Sequence, residues 1–80
     1  MEASKYKEHL RSLEEAKIKL GYTPSIEEWA RLSGRSYNAA KRRMARLVEL
    51  GLVTRKPNGI RDHKITEMGR KILSGEKYVN

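Results

Sequence analysis

Single glycines follow three stretches in which apolar residues recur at intervals of three and four positions; they are Gly21, Gly34 and Gly51. That recurrence is typical of amphipathic helices, and a glycine after the last apolar position is typical of a helix C-terminus. Helices this short are marginal alone in water, so in a chain of 80 residues they must share one small core. The sequence therefore predicts a single, mostly helical domain.

Polar residues that begin helices precede two of these stretches. Ser25 and Glu28 have the spacing of a capping box, and Ser36 is a typical N-cap residue. Trp29 falls on the inner face of the second helix, so we expect it in the core rather than on a stacking surface. The predicted helices cover residues 3–20, 26–33 and 36–50.

A hairpin and a last helix are predicted after the third helix. Asn58-Gly59 is the dipeptide most typical of a tight hairpin turn, and β-prone residues flank it. Thr66 then caps a short last helix that runs through Met68, Ile72 and Leu73. The elements expected are a strand over 52–55, a return strand over 60–65, a helix over 67–74 and a flexible tail over 75–80. The fold class is mostly α with a small β-hairpin (α+β), as one domain over residues 1–74 with a hairpin over 52–65.

Three motifs in this order resemble a known family. Ala30, Gly34 and Ala40 have the spacing at which helix-turn-helix proteins place a small residue, a turn glycine and a core aliphatic residue. Residues 44–53 (MARLVELGLV) resemble the L-x-x-L-x-x-x-G-L-V ending of a recognition helix, and residues 65–73 (ITEMGRKIL) resemble the L-T-x-x-G-R-x-x-L segment that follows a wing. The chain thus resembles winged helix-turn-helix regulators of the LexA and MarR kinds, with a smaller residue at Ala40 and a shorter wing. The resemblance implies a three-helix core, an antiparallel wing and binding to double-stranded DNA.

Positive charge is concentrated in the second part of the chain. The sequence has 18 Lys and Arg against 10 Asp and Glu, a net charge of +8. Residues 1–34 contain six residues of each sign, so the whole excess lies in residues 35–80. A one-sided basic surface is typical of a protein that binds a polyanion, whereas a solvated helix face without a partner is the alternative.

Other function classes are disfavoured by what the sequence lacks. It has no cysteine for a disulfide or a thiolate zinc site, and His9 and His63 have no neighbouring ligand residues, so we expect no metal. No catalytic set or Gly-rich phosphate loop is evident, so we expect no enzyme, no cofactor and no small-molecule ligand. The first residues are charged and no apolar run is long enough to span a membrane, so we expect a cytoplasmic protein.

The third helix is the predicted recognition helix. If Ala40, Met44 and Leu47 face the core, the opposite side faces outward and suits the major groove, which admits one helix. On that side Asn38 can pair with adenine and Arg42 with guanine. A hydrogen bond within the helix cap is the alternative role for Asn38.

The remaining predicted contacts of this helix go mainly to the DNA backbone. Ser36 and the helix N-terminus offer donors to a phosphate, and Tyr37 suits a thymine methyl group or a phosphate. Lys41 and Arg46 are expected to contact phosphates or to have mixed roles. The predicted helix contacts are Ser36, Tyr37, Asn38, Lys41, Arg42 and Arg46.

The wing supplies a second set of basic residues. Arginine near a hairpin tip suits the narrow, electronegative minor groove, and Asp62 beside Arg61 is suited to orient a basic side chain. The predicted wing contacts are Arg55, Lys56, Asn58, Arg61 and Lys64.

We therefore expect a transcriptional regulator that acts by occupying an operator. A single domain offers few base contacts, so a homodimer through helix 1 or the C-terminal segment is expected, with Ile18, Tyr78 and Val79 as spare apolar groups. A winged helix that binds another protein, a plasmid or viral replication or partition factor, and a reader of double-stranded RNA or Z-DNA are the alternatives.

Overall fold

The computed structural model of the protein describes residues 3–56 and 62–74. In these residues the chain forms four helices and one two-stranded antiparallel sheet, which confirms the expected α+β class with the layout of a winged helix. The predicted hairpin turn and the predicted tail over 75–80 lie outside the described residues. The elements are α1 (Ala3–Leu20), α2 (Ile26–Ser33), α3 (Tyr37–Glu49), β1 (Val53–Thr54), β2 (Lys64–Ile65) and α4 (Glu67–Ser74).

Side-chain caps and one glycine define the two helices of the helix-turn-helix. The Ser25 hydroxyl accepts the N–H of Glu28 at 3.1 Å while the Ser25 N–H donates to the Glu28 carboxylate at 2.9 Å, a complete capping box. α2 ends at Gly34, whose φ of 71° lies in the left-handed region that favours glycine. Ser36 begins α3 by accepting the N–H of Ala39 at 3.1 Å.

The first strand begins one residue later than the sequence predicts, because of how α3 ends. The Leu52 N–H donates to the Leu47 carbonyl at 2.9 Å, the long bond of a Schellman motif around Gly51. The Leu52 carbonyl accepts the N–H of Thr66 at 3.0 Å. The sequence predicts a strand from residue 52, but helix ends engage both backbone groups of Leu52, so β1 begins at Val53.

The return strand is also shorter than the sequence predicts. A strand is expected over 60–65, but β2 contains only Lys64 and Ile65, and residues 60 and 61 lie outside the described residues. His63 turns its side chain into the protein, where only 2% of it is exposed, beside the backbone of Pro24. The sheet pairs Val53 with Ile65 and Thr54 with Lys64.

One core lies between the helices and the base of the sheet. Trp29 is buried, and its indole N–H donates to the Ser12 hydroxyl at 2.8 Å, which joins α2 to α1. On α4, Ile72 is partly buried against the core, Met68 is 55% exposed, and the buried residue of this helix is Gly69. Removal of the buried apolar side chains from water is the main contribution to the stability of the fold. The buried apolar residues are Leu10, Leu13, Ala16, Ile26, Trp29, Ala30, Ala40, Met44, Leu47, Leu52, Val53 and Ile65.

Candidate nucleic-acid interface

The buried face of α3 determines which of its side chains point outward. Ala40, Met44 and Leu47 are no more than 1% exposed and are part of the core, so α3 cannot rotate about its axis without losing that burial. Residues 38, 42 and 45 lie on the opposite side of the helix at spacings of four and three, and all are exposed. α3 therefore presents a regular outward face in a fixed orientation.

Asn38 and Arg42 lie one turn apart on this outward face. Within residues 3–56 and 62–74, the Asn38 side chain makes no hydrogen bond and no carboxylate lies within ion-pair distance of Arg42. The cap position belongs to Ser36, so the structure gives no support to a cap role for Asn38. Both side chains keep their hydrogen-bonding groups available for an external partner.

Tyr37 and Lys41 form one flank of the outward face. Both are exposed, and the Lys41 ammonium nitrogen lies 5.9 Å from the centre of the Tyr37 ring, a cation–π contact across one helical turn. Ser36 is exposed at the N-terminus of α3, where its hydroxyl oxygen already accepts one backbone N–H. The positive end of the helix dipole lies at this terminus and favours an anion there.

Arg46 differs from Lys41 and Arg42 because it forms an ion pair with a carboxylate of the protein. Its guanidinium donates to the Glu49 carboxylate at 3.0 Å. The nearby Tyr6 side chain is the largest cause that raises the pKa of Arg46, and Glu49 is the next. An anion that binds at this end of α3 would therefore compete with an existing ion pair.

The wing residues are placed only in part. Arg55, Lys56 and Lys64 are exposed, and Lys64 lies on β2 opposite Thr54, at the base of the hairpin. Asn58 and Arg61 lie outside the described residues, so the structure does not test their predicted contacts. The three described cations lie on or next to the sheet that follows α3 directly.

Three further residues that can carry positive charge lie close together, although the sequence did not predict them as contacts. They are Arg43 on α3 and Lys5 and His9 on α1. Burial is the largest cause that lowers the pKa of Arg43, followed by the charges of Arg35 and Arg42. Burial also lowers the pKa of His9 on α1, and Arg43 is the next largest cause. The four-residue interval between Lys5 and His9 indicates that they share one face of α1. It does not indicate that this face lies near α3, because that depends on the tertiary fold.

Comparison of the chain with protein-family models, curated proteins and solved structures gives no match. The described residues contain no group of three His, Cys, Asp or Glu side chains that could hold a metal ion. None of the helices in those residues is long and apolar enough to cross a bilayer. The geometry of α3 and its surroundings therefore carries the functional argument alone.

Proposed function

We propose that this protein binds double-stranded DNA with sequence preference and regulates transcription by occupying an operator. The observation that carries the proposal is the outward face of α3, where Asn38, Lys41 and Arg42 are exposed opposite a fully buried apolar face. A helix with its side chains is about 10–12 Å across, which matches a major groove about 12 Å wide.

The exposed residues suit different parts of the duplex. Asn38 and Arg42 lie near the N-terminal half of α3, the part of a recognition helix that reaches base edges. Lys41 and Ser36, on the flank, suit phosphates along the groove wall. Arg55, Lys56 and Lys64 extend this positive surface onto the wing. The proposal therefore assigns base recognition to the centre of the helix face and backbone binding to its edges.

Two copies of the chain are part of the proposal. One α3 contacts only a few base pairs, whereas a symmetric dimer reads two half-sites about 10 base pairs apart, centre to centre. Ile18 on α1 is 73% exposed and is a suitable apolar contact for such a dimer, whereas Tyr78 and Val79 lie outside the described residues. A cytoplasmic location, in which the protein is bound to DNA, completes the proposal.

The decisive experiment is selection of bound sequences from a random duplex pool, followed by anisotropy titrations of the selected duplex at several salt concentrations. We expect an enriched palindromic motif and a log–log salt slope of about −0.9 for each phosphate contacted. The test variant, Lys41→Gln with Arg42→Gln, removes two exposed cations from α3. Its control, Arg11→Gln with Lys71→Gln, removes the same charge from exposed positions on α1 and α4.

Loss of affinity in the α3 variant, with little change in the control, supports the proposal. Equal loss in both variants indicates attraction to net charge alone and contradicts a recognition role for α3. Absence of salt-dependent duplex binding in the unmodified protein contradicts DNA binding altogether and favours a winged helix that binds another protein.

A further inference from the structure

A small cavity lies between the first turns of α1 and the flank of α3. It encloses about 220 Å³ and opens next to the outward face of α3. The residues that line it are Lys5, Tyr6, His9, Arg42, Arg43 and Arg46. We call it the basic pocket. Its lining contains no carboxylate, and every member except Tyr6 is a cation or can become one.

The charges around the basic pocket repel one another. The pKa of His9 is lowered first by burial and then by Arg43, Arg35 and Lys5, whereas Glu8 acts in the opposite direction as the smallest contribution. Burial and two neighbouring arginines also lower the pKa of Arg43. Glu49 offsets only Arg46, with which it forms an ion pair. The fold thus holds cations together at a place where a bound anion would relieve their repulsion.

The donors of the basic pocket are those that recognise phosphate. Guanidinium groups bind phosphate oxygens through paired N–H donors, and an ammonium group adds a mobile charge. The Lys5 ammonium nitrogen lies 6.0 Å from the centre of the Tyr6 ring, and the rings of Tyr6 and His9 meet edge to face at 6.3 Å. These contacts hold the α1 side chains along one wall of the cavity, opposite the arginines of α3.

The position of the basic pocket indicates where the phosphate comes from. Arg42 belongs both to the pocket and to the outward face of α3. A helix that lies in the major groove has a sugar–phosphate backbone along each flank. The flank that carries Arg43 and Arg46 is therefore the side on which one backbone passes α1.

We infer that the basic pocket binds a phosphate group, and that in the DNA complex this group is a backbone phosphate at the wall of the groove that α3 enters. The second part rests on the proposed function. It extends the interface onto α1, through Lys5, Tyr6 and His9, none of which belongs to the recognition helix or the wing. Because α1 then touches the backbone, it also restrains the angle at which α3 enters the groove.

The first experiment uses inorganic phosphate and the unmodified full chain. The ring protons of both histidines are titrated by NMR in phosphate and in chloride of equal ionic strength. A bound anion stabilises the imidazolium, so we expect phosphate to raise the pKa of His9 and to leave buried His63 unchanged. The rise should shrink in Lys5→Gln and persist in Arg11→Gln, which removes an exposed cation from the same helix. An unchanged His9, or equal shifts of both histidines, overturns the inference.

The second experiment measures binding of the selected duplex at two salt concentrations. Loss of one phosphate contact lowers the salt slope by about 0.9 for each bound protomer, so the affinity deficit of Lys5→Gln, counted per protomer, should be about 3.5-fold larger at 50 mM than at 200 mM salt. Arg11→Gln should follow the unmodified protein. If both variants bind alike, the DNA-phosphate assignment is overturned while the proposed function stands. If the unmodified protein binds no duplex, the proposed function fails, and the histidine titration alone decides whether the pocket takes free phosphate.

Discussion

Gly69 lies so close to the backbone carbonyl of Leu52 that a Cβ atom at position 69 would overlap the carbonyl oxygen. The same Cβ would lie 2.8 Å from Cγ2 of Ile65 on β2. The carbonyl of Leu52 also accepts the N–H of Thr66, which precedes α4. This junction joins the end of α3, the second strand and α4, and so determines where the wing stands relative to α3.

Replacement of Gly69 by alanine should therefore destabilise the protein. Alanine is a better helix former than glycine by about 1 kcal/mol, but overpacking against backbone costs about 1–3 kcal/mol, so we expect a net loss of stability. Urea denaturation followed by circular dichroism measures the free energy of unfolding. Met68→Ala is the control, because Met68 precedes Gly69 on the same helix and its side chain is exposed. An unchanged or increased stability in Gly69→Ala would contradict the close packing at this junction.

His63 should make stability depend on pH. Neither ring nitrogen has a hydrogen-bond partner of regular geometry in the described part of the chain. Burial is the largest cause that lowers its pKa and Arg55 is the next, while the Pro24 backbone and Asp62 act in the opposite direction. The unfolded chain, with the higher histidine pKa, therefore binds the proton more tightly, so stability is present at neutral pH and is lost as the pH falls.

The measurement is the free energy of unfolding between about pH 7 and pH 5, a range that starts just above the ordinary histidine pKa and extends below it. One proton taken up on unfolding gives a slope of at most about 1.4 kcal/mol per pH unit. His63→Gln should flatten this dependence, even if it lowers stability at neutral pH. His9→Gln is the comparison, since His9 is only partly buried. The same pH dependence in His63→Gln and the unmodified protein would show that another group is responsible.

The parts of the fold that sequence predicts well are those set by neighbouring residues. Each of the first three helices begins and ends within one residue of its expected bounds, because caps such as Ser25 and Ser36 and the turn at Gly34 act over three or four positions. The outward direction of Asn38 and Arg42 also follows from local periodicity, once the apolar side of α3 is known.

The parts that sequence does not predict depend on contacts between distant segments. Leu52 has the β propensity of a strand residue, but its N–H donates to Leu47 at the end of α3 and its carbonyl accepts from Thr66 at the start of α4. A return strand is expected from residue 60, but β2 contains only Lys64 and Ile65, and His63 is buried beside the backbone of Pro24, which is distant in the chain. The basic pocket joins Lys5 and Arg43, which are far apart in the chain, and no local pattern reports their distance.

Arg42 and Lys41 should affect DNA binding in different ways. Arg42→Ala should reduce discrimination between the selected duplex and one with a changed base by about 1–3 kcal/mol, because a guanidinium pairs with one base edge. Lys41→Ala, on the flank, should weaken binding to both duplexes alike and lower the salt slope by about 1. Competition titrations with the two duplexes measure both effects. Equal loss on every duplex in both variants would refute the division of roles.

Removal of the Glu49 carboxylate should strengthen DNA binding. Glu49 lies one turn beyond residue 45 on the outward side of α3, where its charge repels phosphates and holds Arg46 at 3.0 Å. Glu49→Gln frees Arg46 for the backbone, so affinity for all duplexes should rise and the salt slope should steepen by up to about 0.9. Stability should change by no more than about 1 kcal/mol, because the pair is exposed.

The control for this change is Glu67→Gln, which removes an equal charge from an exposed position on α4. If both variants gain affinity equally, the gain comes from net charge and Arg46 has no special part in it. If Glu49→Gln binds more weakly than the unmodified protein, the carboxylate positions Arg46 for DNA instead of competing with it. A gain confined to Glu49→Gln places this end of α3, where Glu49 and Arg46 lie, close to the DNA backbone.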